Sequence, residues 1–448
     1  MDRPFQARFG RLTAVAILVT TAATPVLAEP KPVAAITPVS TSTAAEFTAR
    51  ARRAGLRVLE GRHLVLATDR APRDGDGLDD LPRLFDEAFE TWRRHYGLAA
   101  DDHADWRALG CLVVEKSRFE ATGLLPDEIP DFTNGFCAND RFWMMDQSNP
   151  AYRRHLLLHE GVHAFTLTLR SLATPAWYTE GIAECLATHR LEDGRFVNTP
   201  VPRSAEDVEQ LGRIEQLQQF VRSGKAPSLH DVFATKPSAH RSIASYAASW
   251  AAVVMLAGHP RYAAGFAAIE RGPLDAAFTE RLSRIEGWES ATADRDFAAF
   301  LEDLDYGYDF SRSVIDWTQA PPLASTRLLT VAAGRGWQHA GTSLEAGRRY
   351  SLTATGRSQL GCIGKRAIES GADGISLDWY RGRPIGRLLV AQWVKEPGRQ
   401  PGFRVVAEGS KAEFAAATDG PVYLRINEAP AAFSDSEGGL DVRLRSSP

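Results

Sequence analysis

The stretch from about Ala151 to Leu169 constrains this chain more than any other. Pro150 suits the first turn of a helix, and the residues after it have helical spacing. The apolar run Leu156-Leu157-Leu158 sinks that helix into a core. Directly after it comes His159-Glu160-Gly161-Val162-His163. Residues four apart on a helix share one face, about 6 Å apart along the axis. Two imidazoles so placed can both ligate one tetrahedral metal at roughly 2.0–2.1 Å. Glu160 follows the first of them, which puts its carboxylate beside the metal's water rather than on the metal, where a general base belongs.

A third ligand has to come from elsewhere. Pro175 to His189 reads as a second helix, with Glu180, Ala183, Glu184 and Ala187 on one face. Its segment Trp177-Tyr178-Thr179-Glu180-Gly181-Ile182-Ala183-Glu184 carries Glu180 17 residues beyond His163. Two His and one Glu leave a fourth position for water. Together these motifs resemble the gluzincins, zinc peptidases in which a Glu on a second helix completes the site. In particular the chain is similar to the peptidase MA-like domains of bacterial secreted proteins, over about residues 46–317. The resemblance implies Zn2+ held by His159, His163 and Glu180, with Glu160 as the base. It implies that Glu184 accepts the other ring N–H of a ligand histidine, and that Tyr246, in Ser245-Tyr-Ala-Ala-Ser-Trp250, donates to a developing oxyanion. His230 and His240 are weaker candidates for that last role. His155 lies one turn before His159, but three histidines on one straight helix have poor tetrahedral geometry, so a packed or hydrogen-bonded histidine is expected there. The run Phe142 to Met145 is expected as the edge strand along which an extended peptide would add.

The rest of the chain is read around this centre. At 448 residues it has room for two or three domains, and 44% hydrophobic with 24% charged residues is ordinary for a globular protein. A formal net charge of -4, with no block of Lys or Arg, gives no case for nucleic acid. Arg3, Arg8 and Arg11, then the apolar Leu12 to Leu27, then Val26-Leu27-Ala28 have the order of a secretory signal peptide over residues 1–28, with an uncleaved anchor as the alternative. No other run is long and apolar enough to span a membrane, so a secreted or periplasmic protein is expected. Residues 29–45, rich in Pro, Ala, Ser and Thr, read as a linker. Of the four cysteines, Cys111 and Cys137 form the expected disulfide if any forms; free buried thiols are the alternative.

Past Trp317 the character changes. Residues 318–325 contain two prolines and read as a linker. Short alternating runs follow, such as Arg349–Thr355, Gly402–Ala407 and Pro421–Ile426, which suggest a β-sandwich over residues 326–448. Gly336-Trp337-Gln338-His339-Ala340-Gly341-Thr342 and the closing Tyr423-Leu-Arg-Ile-Asn427 and Phe433-Ser-Asp-Ser-Glu-Gly438 resemble galactose-binding-like sandwiches, including calcium-dependent lectins. Glu428 and Asp435 match two calcium-ligand positions, while Ala432 and Ser436 stand where further oxygen-rich ligands belong. A purely structural sandwich is the alternative to a carbohydrate or cell-envelope binding module.

The expected fold class is therefore α+β, a zincin-like domain of small mixed sheet plus helices followed by a β-sandwich. The expected function is zinc-dependent hydrolysis of a peptide or protein by a metal-activated water. Two other readings stay open: an envelope-binding protein whose metal helix is vestigial, and a zinc hydrolase of a non-peptide substrate.

Overall fold

The computed structural model describes residues 43–73, 75–208, 212–236, 243–363, 366–396 and 399–447. The segment read as a signal peptide lies outside the described residues. The expected linker ends sooner than its composition suggests: Thr43 and Glu46 form a capping box that starts α1 (Ala44–Arg53). Next come β1 (Arg57–Glu60), β2 (Leu64–Thr68), α2 (Leu81–His95), β3 (Ala108–Val113), α3 (Lys116–Glu120), β4 (Gly135–Ala138) and β5 (Arg141–Met145).

These strands form a five-stranded sheet in the order β1-β2-β3-β5-β4. β2, β3 and β5 run parallel, and the outer strands pair antiparallel. Both faces are covered, so the central strands read as continuous apolar runs. Val65, Ala67, Leu109, Cys111 and Val113 pack on Phe47 of α1 and Phe119 of α3. Leu64, Leu66, Leu112, Phe142 and Met144 pack on Phe85, Phe89 and Trp92 of α2 and on α4 (Pro150–Leu169).

Two expectations are corrected here. The run Phe142 to Met145 lies in β5, between β3 and β4; the edge strands are β4, next to it, and β1 on the far side. β4 escapes notice in the sequence because Gly135, Phe136, Cys137 and Ala138 are short and carry little apolar pattern. The expected Cys111–Cys137 disulfide is also not formed, and all four cysteines are free. Cys111 points into the α1–α3 side of the sheet, whereas Cys137 packs against the opposite core, and a sheet separates their sulfurs.

The middle of the chain is helical. α5 (Ala176–Ala187) stops short of His189, which opens the hairpin β6 (His189–Glu192) and β7 (Arg195–Asn198). Then follow α6 (Arg213–Arg222), α7 (Leu229–Phe233), α8 (Ile243–Gly258), α9 (Ala263–Arg271), α10 (Phe278–Arg281), α11 (Ser290–Asp303) and α12 (Phe310–Ser313). No helix among the described residues is long and apolar enough to cross a membrane.

Beyond residue 325 the chain is strand: β8 (Thr326–Ala332), β9 (Gln338–Leu344), β10 (Arg349–Ile363), β11 (Arg366–Ser370), β12 (Asp373–Tyr380), β13 (Arg383–Val394), β14 (Gly402–Glu408), β15 (Lys411–Ala415), β16 (Gly420–Ile426) and β17 (Ser436–Ser446). They make two five-stranded sheets, β11-β10-β17-β8 with β15 on β10, and β12-β13-β16-β9 with β14 on β13. Val331, Leu352, Leu440 and Leu444 of the first share one core with Leu388, Val390, Leu424 and Ile426 of the second. With its mixed sheet, helical middle and all-β close, the chain is α+β.

The strand region is joined to the helices by more than the chain. Residues 318–325, expected as a linker, lie along β9: Ser343 N donates to Pro321 O and Leu323 N to Ser343 O, each at 2.9 Å. Trp317 packs among Trp393, Phe403 and Tyr423. Arg425 of β16 reaches across to Asp303 of α11, donating to both carboxylate oxygens at 2.6 Å.

Candidate metal centre

Three helices build the site, and glycines let them meet. Asn149 caps α4 by accepting from Tyr152 N at 3.0 Å. A Cβ on Gly161 would run into Phe85 and Trp92, so the bare backbone lets α4 sink onto α2. A Cβ on Gly181 would run into the Ser249 carbonyl, so α5 and α8 approach backbone to backbone. The close packing places α4 with His159, Glu160 and His163, α5 with Glu180 and Glu184, and α8 with Tyr246 around one point.

The candidate ligand atoms converge there. His159 Nε2 and His163 Nε2 are 3.1 Å apart. Glu180 Oε2 is 3.4 Å from each of them. Bonds of roughly 2.0–2.1 Å to a tetrahedral metal put ligand atoms about 3.3 Å apart, so this triangle has the size such an ion needs. Glu180 Oε2 is also buried without a hydrogen-bond partner. A buried polar atom is normally satisfied, and a cation between it and the two imidazoles would satisfy it. Two imidazoles and a carboxylate make a donor set for a divalent first-row metal.

Glu184 stands behind the triangle. Its Oε1 lies 3.2 Å from His159 Nδ1, and its Oε2 takes His155 Nε2 at 3.0 Å and the Arg213 guanidinium of α6. His155, His159 and Glu184 form a second group with metal-ligand spacing. A cation there would compete with Arg213 for the same oxygen, and the hydrogen bond from His155 already satisfies that corner. His155 is thus a hydrogen-bonded helix histidine, as its position on α4 predicts.

Charge and burial act together at the site. Burial pushes the Glu160 carboxyl up, against the pull of His159 and His163. Burial also works against Glu180 and Glu184, but here the partners prevail. His163 and His159 hold Glu180 well below the usual carboxylate range, and Arg213, His155 and His159 do the same for Glu184. For His159, burial opposes the charged ring, yet Glu184 and Glu180 carry its pKa up to about 10, so a metal binding there displaces a proton. Burial, with Glu180 and Glu160 nearby, raises the Tyr246 phenol, which stays a donor.

Tyr246 sits beside the centre, its ring 6.0 Å from that of His159. His230 is exposed on α7, where its backbone N–H meets Asp294, and His240 lies outside the described residues. Two residues had no signal in the sequence. Gly135 of β4 lies against Glu160, where any Cβ would overlap the carboxylate. Arg213 opens a helix far along the chain, with no spacing that ties it to Glu184. In the β region, Glu428 is buried and its carboxylate accepts from Ser436 Oγ at 2.7 Å. Burial lifts its pKa to about 7.

No family profile matches the sequence, and no curated protein matches it. Among solved structures, the EclA N-terminal domain, a PllA-like lectin, aligns at 16% identity over 28% of this chain and 98% of its own, with a TM-score of 0.20. The IMPa metallopeptidase from Pseudomonas aeruginosa aligns at 13% identity over 64% of this chain, with a TM-score of 0.17. This chain spans 27% of that protein's length.

Proposed function

We propose that the chain is a zinc-dependent hydrolase of the gluzincin type, acting on peptides or proteins outside the cytoplasm. The observation that carries this reading is the triangle of His159 Nε2, His163 Nε2 and Glu180 Oε2, 3.1–3.4 Å on a side, with Glu160 buried beside it. In this reading residues 46–317 are a zincin-like domain and residues 326–448 a galactose-binding-like β-sandwich that holds a carbohydrate or cell-envelope ligand near the enzyme. The mutual bonding of Glu428 and Ser436 speaks against calcium in the closing loop.

His159, His163 and Glu180 would hold the ion, and Glu184 would keep the His159 ring turned toward it. Zinc supplies Lewis acidity, drawing electron density from a carbonyl and acidifying water. Glu160 takes a proton from the attacking water as its oxygen bonds to the carbonyl carbon. When the C–N bond breaks, Glu160 returns that proton to the departing amine. Tyr246 O–H donates to the oxygen that gains charge in between.

Glu160→Gln tests this assignment, because it removes the base while leaving the ligand atoms in place. General-base help contributes about 10²–10⁴-fold. Cleavage of any peptide found by library screening with mass spectrometry should fall by that factor, with zinc content unchanged on the same preparation. A zinc-loaded variant that cleaves at the wild-type rate would refute the mechanism. If the wild type cleaves no peptide, glycan and cell-wall fragments become the substrates and ligands to screen.

A further inference from the structure

Resting on that metalloenzyme reading, we propose that Arg213 is a positioning residue for the centre. Its guanidinium pins Glu184, Glu184 sets the ring of His159, and Arg213 thereby governs how tightly the metal is held.

Glu184 is 3% exposed and has three neighbours on two oxygens. Oε2 takes Arg213 and His155 Nε2, which leaves Oε1 turned toward His159 Nδ1 at 3.2 Å. An acceptor at Nδ1 selects the tautomer with its proton there, and only that tautomer offers the Nε2 lone pair to a metal. If the carboxylate turned, His159 could keep its proton on Nε2, facing Glu180, and lose its place as a ligand. Arg213 blocks that turn with a charge that is not lost at any working pH.

Charge points the same way. A divalent ion in the triangle is matched by Glu180 and Glu160, which leaves Glu184 a third carboxylate in a buried cluster. Arg213 matches it. The clamp also comes from outside the three helices that supply the proposed ligands, base and oxyanion donor. α6 starts at Gly212, in the left-handed region at φ 58°, and packs on α8 and α11. α11 in turn touches β14, so Arg213 joins the centre to a part of the molecule that supplies none of those groups.

The test is metal affinity, measured by chelator competition on full-length wild type, Arg213→Met, Arg213→Lys, Glu184→Gln and the double variant Arg213→Met/Glu184→Gln. Visible absorption of each cobalt-loaded protein is recorded alongside. Loss of such an outer partner typically weakens binding about 10–100-fold, and Arg213→Met should show that loss with an altered cobalt spectrum. Arg213→Lys keeps the charge and should recover part of it. The double variant should bind no worse than Glu184→Gln alone, because the arginine acts through that carboxylate. A folded Arg213→Met with wild-type affinity and spectrum overturns the proposal, as do losses that multiply independently. Should Arg213→Met not fold, Arg213→Lys and Glu184→Gln decide by the same two readouts. Failure of the underlying reading is separately visible: wild type would take up no stoichiometric metal, or His163→Ala would keep it.

Discussion

Glycine controls the space around the proposed base. Gly135 belongs to an edge strand, and its bare Cα is what allows the Glu160 carboxylate to lie under β4. Gly135→Ala is expected to displace that carboxylate while leaving the imidazoles alone. A shift of about 1 Å at a reacting group can cost 10²-fold in rate, so activity should fall by that order with metal content unchanged. Kinetics and metal analysis on one preparation check it; full activity would mean that Glu160 tolerates the displacement and is not the base. The pairing of His159 with His163 was legible at this scale, since helical spacing alone puts them on one face. The neighbours Gly135, Arg213 and Tyr246 were not derivable from spacing. They come from β4, α6 and α8, and only folding sets which elements cross α4.

At the scale of elements, the contact of α5 with α8 decides whether Glu180 and Tyr246 face the same point. Helix propensity alone says that Gly181→Ala should stabilise α5, by about 1 kcal/mol. The structure says the reverse, because the new methyl would meet the Ser249 carbonyl, which cannot swing aside. Overpacking of this kind costs about 1–3 kcal/mol. Gly181→Ala should therefore lower the thermal midpoint and weaken metal binding together; a raised midpoint would show that the helices are not in backbone contact. The long helices α4 and α5 and the strands β5, β10, β14 and β16 were readable from period and turn residues. β4 and the β6–β7 hairpin were not, because strands of four residues carry too little alternation to stand out.

For the whole molecule the question is how the helical and strand regions hold together. Arg425 runs past Trp337, Tyr380 and Phe433 to reach Asp303, which also meets Arg381 at 3.2 Å. Breaking a buried ion pair by removing one partner costs about 3–5 kcal/mol. With Arg381 remaining, Arg425→Met should fall toward the lower end of that range in chemical denaturation. A loss below about 1 kcal/mol, typical of surface pairs, would mean the seam is solvated. The same seam should respond to pH. Burial raises Glu302 to about 7, against the Phe403 N–H and with Asp303 adding to the rise, and it raises Glu428 to about 7 despite Ser436 and Arg425. The folded state thus holds protons that the unfolded chain, with carboxyls near 4.5, has released. Their contribution is full below about 4.5 and is lost as pH rises through about 7. Relative to Glu302→Gln/Glu428→Gln, the wild type should lose stability between pH 5 and about 8. A difference that stays flat across that window would exclude the raised pKa values. Buried His189, held down to about 4, pulls the other way in both proteins and cancels in the comparison.

What the sequence determined by itself was local. Period and turn residues specified the long helices, and four-residue spacing on one of them specified a pair of imidazoles with a carboxylate beside them. The shift from helical to alternating patterns near Trp317 specified where strands begin. Tertiary structure decided everything that depends on two distant segments meeting. It put β4 rather than β5 at the sheet edge and Cys111 and Cys137 on opposite faces. It laid residues 318–325 along β9 and brought Arg213 to Glu184. The physical reason is the same in each case. A residue's own pattern reports which way its side chain faces, whereas its partner is chosen by packing, and packing is a property of the assembled core rather than of any stretch of chain.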